Sequence, residues 1–197
     1  GVDAPAPPTI NVGGRLLSFD RPKVMGILNA TPDSFYAGSR CAGDDMVAAR
    51  VREIVSQGGD IIDVGTCSTR PGSVAPSVDD EWQRLDRALA VVRRVAPDAI
   101  VSVDTYRAEV ARRAVEQYGV QMVNDVSGGS MDKDMFATVA ALGVPYILTH
   151  MQGTPADMQR HTHYDNVVVD VTRWLAERVD MLHQMGVADV IVDPGFG

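Results

Sequence analysis

Amides, carboxylates and one imidazole recur at the ends of short apolar runs along this chain. Asn29, Asp104, Asn124, His150 and Asp193 each close such a run, and Asp63 lies just inside another. An ionised carboxylate presents only acceptors, whereas an amide presents an acceptor and two donors. Together they match the adjacent N–H donors and ring acceptors of an amino-pyrimidinone. A carboxylate in a secluded mouth is costly unless donors reach it, so Asp104 and Asp193 call for donors there. An Asp or Asn at such a place can also cap the helix that follows. Two Asp and one Asn at three different run ends favour a shared site.

Three loops carry further chemistry. The loop after Asn29 holds Thr31, Pro32, Asp33, Ser34 and Phe35. Asn29 and Asp33 supply oxygen ligands of the kind Mg2+ takes when substrate phosphates and water complete its shell; the same pair could instead cap a turn. The loop after Asp63 gathers Cys67, Ser68, Thr69 and Arg70 before Pro71-Gly72. Arg70 could hold a carboxylate or pyrophosphate by paired hydrogen bonds, which Lys cannot copy, or lie solvated on the surface. Met151 follows His150 and suits either a wall for a flat ring or core packing. His161 and His163 have no evident third ligand and read as loop histidines rather than a zinc site. No nucleophile elbow, phosphate-binding loop or dinucleotide fingerprint occurs.

The runs that end in these groups span 23–28, 60–64, 100–103, 121–123, 146–148 and 190–192. They are short and largely unbroken by polar residues, as strands buried on both faces are. Helical periodicity fills 44–56, 78–95, 107–118, 133–142 and 167–185, and Gly or Pro leads into each next strand. Such alternation gives a parallel sheet with helices outside, either open and doubly wound or closed as a barrel. Polar groups arriving from so many strands suit the C-terminal rim of a barrel, whose site draws on all its βα loops. An open sheet would concentrate them at one crevice.

The expectation is an α/β fold of the (β/α)8 TIM-barrel type, with six strands and five intervening helices, preceded by a hairpin of 9–12 and 15–19 about Gly13-Gly14. Residues 1–8 are expected to form a flexible tail and 9–197 a single barrel domain, incomplete at its C-terminal end. Six strands alone would leave unpaired edges, so the natural protein is expected to continue past Gly197.

With 45% hydrophobic and 22% charged residues in 197, the composition is that of one soluble domain. A formal charge of -8 disfavours nucleic acid and anionic membranes as partners. No apolar stretch approaches the roughly 20 residues of a membrane span, and no basic-then-apolar leader opens the chain. The cytoplasm is the expected location, with Cys41 and Cys67 as reduced thiols.

In order and spacing, residues 28–35, 68–72, 102–105, Asn124-Asp125, 150–153 and 193–197 resemble dihydropteroate synthase. The resemblance implies condensation of 6-hydroxymethyl-7,8-dihydropterin pyrophosphate with p-aminobenzoate, giving dihydropteroate and pyrophosphate for folate synthesis. It implies that Asp104, Asn124 and Asp193 hold the pterin, with Met151 beside it, and that Asn29 and Asp33 place Mg2+ and pyrophosphate. It further implies that loops carrying Thr31, Phe35, Ser68, Thr69 and Arg70 close over p-aminobenzoate, that Asp33, Thr69, Arg70 and Asp104 serve catalysis, and that the enzyme is a homodimer sensitive to sulfonamides. Thr66-Cys67 stands where the family usually has Gly-Glu, and the family's late basic residues would lie beyond Gly197. The alternatives are a folate- and corrinoid-linked methyltransferase domain, against which the 31–35 and 68–72 loops argue, and a noncatalytic pterin-binding module.

Overall fold

The computed structural model describes residues 9–18, 23–30, 40–66, 75–149 and 164–193. Six parallel strands form one sheet in simple chain order: β3 (Met25–Asn29), β4 (Ile61–Gly65), β5 (Ile100–Asp104), β6 (Met122–Asp125), β7 (Tyr146–Thr149) and β8 (Val190–Asp193). Helices separate them: α1 (Arg40–Ser56), α2 (Val78–Val95), α3 (Ala108–Tyr118), α4 (Met135–Leu142) and α5 (Tyr164–Gln184). Consecutive βα units with each strand beside its predecessor make the wall of a (β/α) barrel, since a doubly wound sheet would reverse its strand order.

The period of two along each strand divides apolar residues between two cores. Ile62, Val64, Val101, Val103, Val123, Tyr146 and Leu148 pack outward against Val51, Leu85, Leu89, Val110 and Val139 of the helices. On the inward side Ile61, Ile100 and Met122 meet Val12 and Leu17 of the hairpin β1 (Thr9–Val12) and β2 (Arg15–Ser18). The hairpin thus closes the N-terminal end of the barrel with apolar side chains, leaving the C-terminal end for polar ones.

Local chemistry sets the helix boundaries. Ser77 caps α2 by accepting from the Asp80 N–H at 3.1 Å, with Asp79, Asp80 and Glu81 in the first turn and Arg93 and Arg94 in the last. Arg93 then reaches the carbonyls of Ala99, Tyr118 and Gly119 and the side chain of Gln121, tying α2 and the end of α3 to the starts of β5 and β6. Partial burial pushes its guanidinium below its ordinary range.

Two differences from the expected pattern stand out. The strands run one or two residues further than their apolar runs, so that Asn29, Asp104, Asn124 and Asp193 are strand residues rather than the first loop residues. Polar ends join the sheet because backbone pairing does not depend on side-chain polarity. Burial on both faces holds for β4 and β6 and nearly throughout β5, but not for β3, at one edge of the six-strand sheet. Ile27 of β3 is 56% exposed and Val192 of β8, at the other edge, 44%.

Candidate active site

Strand register assembles the site. Asn29, Gly65, Asp104 and Asn124 are successive partners across β3, β4, β5 and β6, and one step deeper Ile27, Asp63, Ser102 and Met122 are likewise aligned. The lowest step, Met25, Ile61 and Ile100, belongs to the apolar plug. Along the barrel axis the inward side therefore changes from aliphatic, through a carboxylate and hydroxyl, to carboxylate and amides at the rim. Asp193 pairs with Thr149 on β7, two residues beyond the Ile147–Ile191 pair that continues the Asn124 step, which puts its backbone at the same end.

Asp63 is 3% exposed and accepts from the Ser102 hydroxyl at 2.6 Å and from Nδ2 of Asn124 at 3.1 Å. Burial pushes its carboxyl up, and the two donated hydrogen bonds act in the opposite direction. Asp104 has no such compensation. Its Oδ1 is buried with no hydrogen-bond partner among the described residues, as is Oδ1 of Asn124. Burial, then the neighbouring charges of Asp63, Asp125 and Glu81, push the Asp104 carboxyl up to about 7. Two buried acceptors without donors at a barrel mouth are ready to receive N–H groups.

Surrounding elements hold these groups in place. Glu81 on α2, 1% exposed, accepts from the Thr105 hydroxyl at 2.8 Å and from Arg107 at 2.9 Å, while Arg107 also donates to the Pro76 carbonyl. This ties the turn directly after Asp104. Asp125 is fully buried and accepts from the Ser127 N–H and hydroxyl, the Gly129 N–H and the Tyr146 hydroxyl, closing the β6 to α4 turn. Burial and the Asp125 charge push the Tyr146 hydroxyl up. Gly128, with φ of 60°, leaves space for Trp174, whose ring a Cβ there would strike.

The capping alternative fails for Asp104 and Asn124. The α3 N-terminus is taken by Asp132, which accepts from the Ala108 N–H at 2.8 Å, and the Asn124 amide is engaged by Asp63. Asn29 occupies the exposed rim of the same step. As an oxygen donor beside a carboxylate-rich mouth it fits a cation that takes few protein ligands, as Mg2+ does. Among the described residues no group of three or more His, Cys, Asp or Glu is placed to bind a metal.

Thr31, Asp33, Phe35, Ser68, Thr69, Arg70 and Met151 lie outside the described residues, as does His150. Ser102, Glu81 and Asp125 had no part in the expected site, and Asp63 was expected only as a polar group just inside its strand. A charged residue two positions from Ile61 and Gly65, inside a buried strand, was the signal for Asp63, since a buried carboxylate needs donors nearby.

A family model described as "Pterin binding enzyme" matches residues 25–197. The chain belongs to the pterin-binding enzyme family. Within the family it is 38% identical to dihydropteroate synthase of Synechocystis over 97% of its own length and 66% of the relative's. It is 42% identical to a folate synthesis bifunctional protein of Arabidopsis thaliana over 95% of the chain, but spans only 40% of that relative. Among solved structures, Xanthomonas albilineans dihydropteroate synthase with 4-aminobenzoic acid superposes with a TM-score of 0.75 at 37% identity, over 98% of this chain and 68% of that one. The Anaplasma phagocytophilum dihydropteroate synthase, with bound 6-hydroxymethylpterin-monophosphate, gives 0.76 at 36% identity over 89% and 68%. The pterin-binding barrel is thus the frame in which the unpaired acceptors of Asp104 and Asn124 lie.

Proposed function

We propose that the whole protein is a dihydropteroate synthase and that this stretch supplies its pterin-binding wall. The observation that carries the reading is the pair of buried, unmatched acceptors on Asp104 and Asn124 at the mouth of a family barrel. An amino-pyrimidinone edge offers the missing N–H donors. Relatives with 37% to 38% identity bear the synthase name, and neighbours carry 4-aminobenzoic acid or 7,8-dihydropteroate.

In this reading Asp104, Asn124 and Asp193 hold the pterin ring, with Met151 against its face. The bond from the pterin methylene carbon to the pyrophosphate oxygen breaks with its electron pair leaving on pyrophosphate. The arylamine nitrogen then forms a bond to that carbon and gives up a proton. Acceptors around the ring stabilise positive charge developing on it. Asn29 and Asp33 would hold Mg2+, which when bound neutralises charge on the leaving pyrophosphate. Thr31, Phe35, Ser68, Thr69 and Arg70 enclose p-aminobenzoate and keep water from the electrophilic carbon. The reading also takes the enzyme to be a cytoplasmic homodimer; no helix among the described residues is long and apolar enough to cross a membrane.

The test is dihydropteroate formation by the full-length protein given dihydropterin pyrophosphate, p-aminobenzoate and Mg2+. Turnover that requires p-aminobenzoate supports the synthase. Tight pterin binding without product would favour the methyltransferase or binding-module alternative.

A further inference from the structure

Asp63 is buried one step of the register below Asp104 and Asn124, yet its two bonds decide what the mouth offers. Oδ1 accepts the Ser102 hydroxyl and Oδ2 accepts Nδ2 of Asn124. An amide held by its nitrogen must turn its oxygen the other way, and Oδ1 of Asn124 is the buried atom left without a partner among the described residues. A carboxylate has no donor with which to accept the opposite orientation. The choice between acceptor and donor at position 124 is therefore made one layer deeper, at position 63.

We propose that Asp63 is a specificity-determining positioning residue: it locks the Asn124 amide with its oxygen toward the ligand, so that the site selects ring edges bearing N–H donors. The inference rests on the pterin-binding reading above.

The consequence is an inversion. In Asp63→Asn the buried Ser102 hydroxyl, which has no other acceptor among the described residues, keeps donating to the oxygen at position 63, so the new side chain points its NH2 at Asn124. Asn124 must then turn its own oxygen to position 63 and its NH2 to the ligand, where a donor meets a donor. Exchanging the two side chains restores the polarity. In Asp63→Asn with Asn124→Asp, the amide at 63 donates to one carboxylate oxygen at 124 and leaves the other facing the ligand.

The experiment is calorimetric titration of 6-hydroxymethylpterin into the full-length wild type, both single variants and the exchange. Wild-type binding with a loss of about ten- to a hundredfold in Asp63→Asn is expected, because an unpaired buried donor is costly. The exchange should recover most of that loss. If the double variant shows only the sum of the single effects, or if Asp63→Asn binds like wild type, the positioning role is overturned while the pterin-binding reading stands. Absence of wild-type pterin binding would overturn both. Should Asp63→Asn fail to fold, the wild-type complex decides alone: a scalar coupling across the hydrogen bond from a ring N–H nitrogen to the Asn124 side-chain carbonyl carbon would support the inference, and one from Nδ2 of Asn124 to a ring acceptor nitrogen would overturn it.

Discussion

Gly65 and Asp104 are register partners on β4 and β5, and the glycine is what lets the carboxylate occupy the barrel mouth. A Cβ at position 65 would stand 2.9 Å from the Asp104 Cβ and 3.2 Å from its Oδ2. Such an approach is too close for carbon, so one side must move. Gly65→Ala is expected to leave the fold intact while shifting the Asp104 side chain, with about a tenfold loss of pterin affinity by calorimetry. Wild-type affinity would mean that Asp104 is not held against this backbone.

Asp104→Asn should stabilise the ligand-free protein, in a pH-dependent way. Burial pushes the folded carboxyl up to about 7, well above the ordinary carboxylate range. A raised carboxyl favours folding fully below its unfolded value and loses that contribution as pH rises through the folded one. The variant's advantage over wild type should therefore grow from pH 4 to about 7 and then level off, by on the order of 4 kcal/mol. Urea unfolding at pH 4.5 and 8 measures it. The same advantage at both values would mean an ordinary carboxyl.

The barrel floor predicts an effect of another kind. Leu17, 8% exposed, packs with Val12 onto the inward Ile61, Ile100 and Met122. Leu17→Ala is expected to cost about 2–3 kcal/mol of stability through the cavity it leaves. Pterin affinity at a temperature where the variant is folded should not change, since the carboxylates sit on higher rungs of the sheet. A parallel loss of affinity would instead show that the plug controls the position of Asp63 and Ser102.

The alternation of apolar runs and helical periods made the barrel wall legible, because buried parallel strands must be apolar on both faces whatever their role. Asp104 and Asn124 were legible as candidate site groups for the complementary reason: a polar side chain next to such a run has few other places to go. The bond from Asn124 to Asp63 was not. It joins residues 61 positions apart and skips β5, so only the register and the barrel's curvature reveal it. The hairpin was readable from Gly13-Gly14 as a turn but not as a floor, since nothing local to 9–18 says which face of which strands it meets. Glu81 was hidden for a similar reason: within α2 it resembles the acidic residues that favour any helix start, and its burial comes from Thr105 and Arg107 on the next unit.

The most discriminating consequence of the unpaired carboxyl is proton release on binding. In the ligand-free protein Asp104 titrates near 7, pushed there by burial and by Asp63, Asp125 and Glu81. Ring N–H donors stabilise the ionised form more than the neutral one, so the bound carboxyl titrates lower. Below about pH 7 pterin binding must then expel a proton, and affinity should fall about tenfold per pH unit until the bound value is reached. Above that range both states are ionised, so affinity is flat and no proton is released. Calorimetry at pH 6 and 8.5, in buffers of differing ionisation enthalpy, counts the protons directly. Close to one proton released at pH 6 and none at 8.5 is expected, with the pH 6 release absent in whatever residual binding Asp104→Asn retains. Proton uptake, or a count that does not change with pH, would place the ligand's donors on some other group.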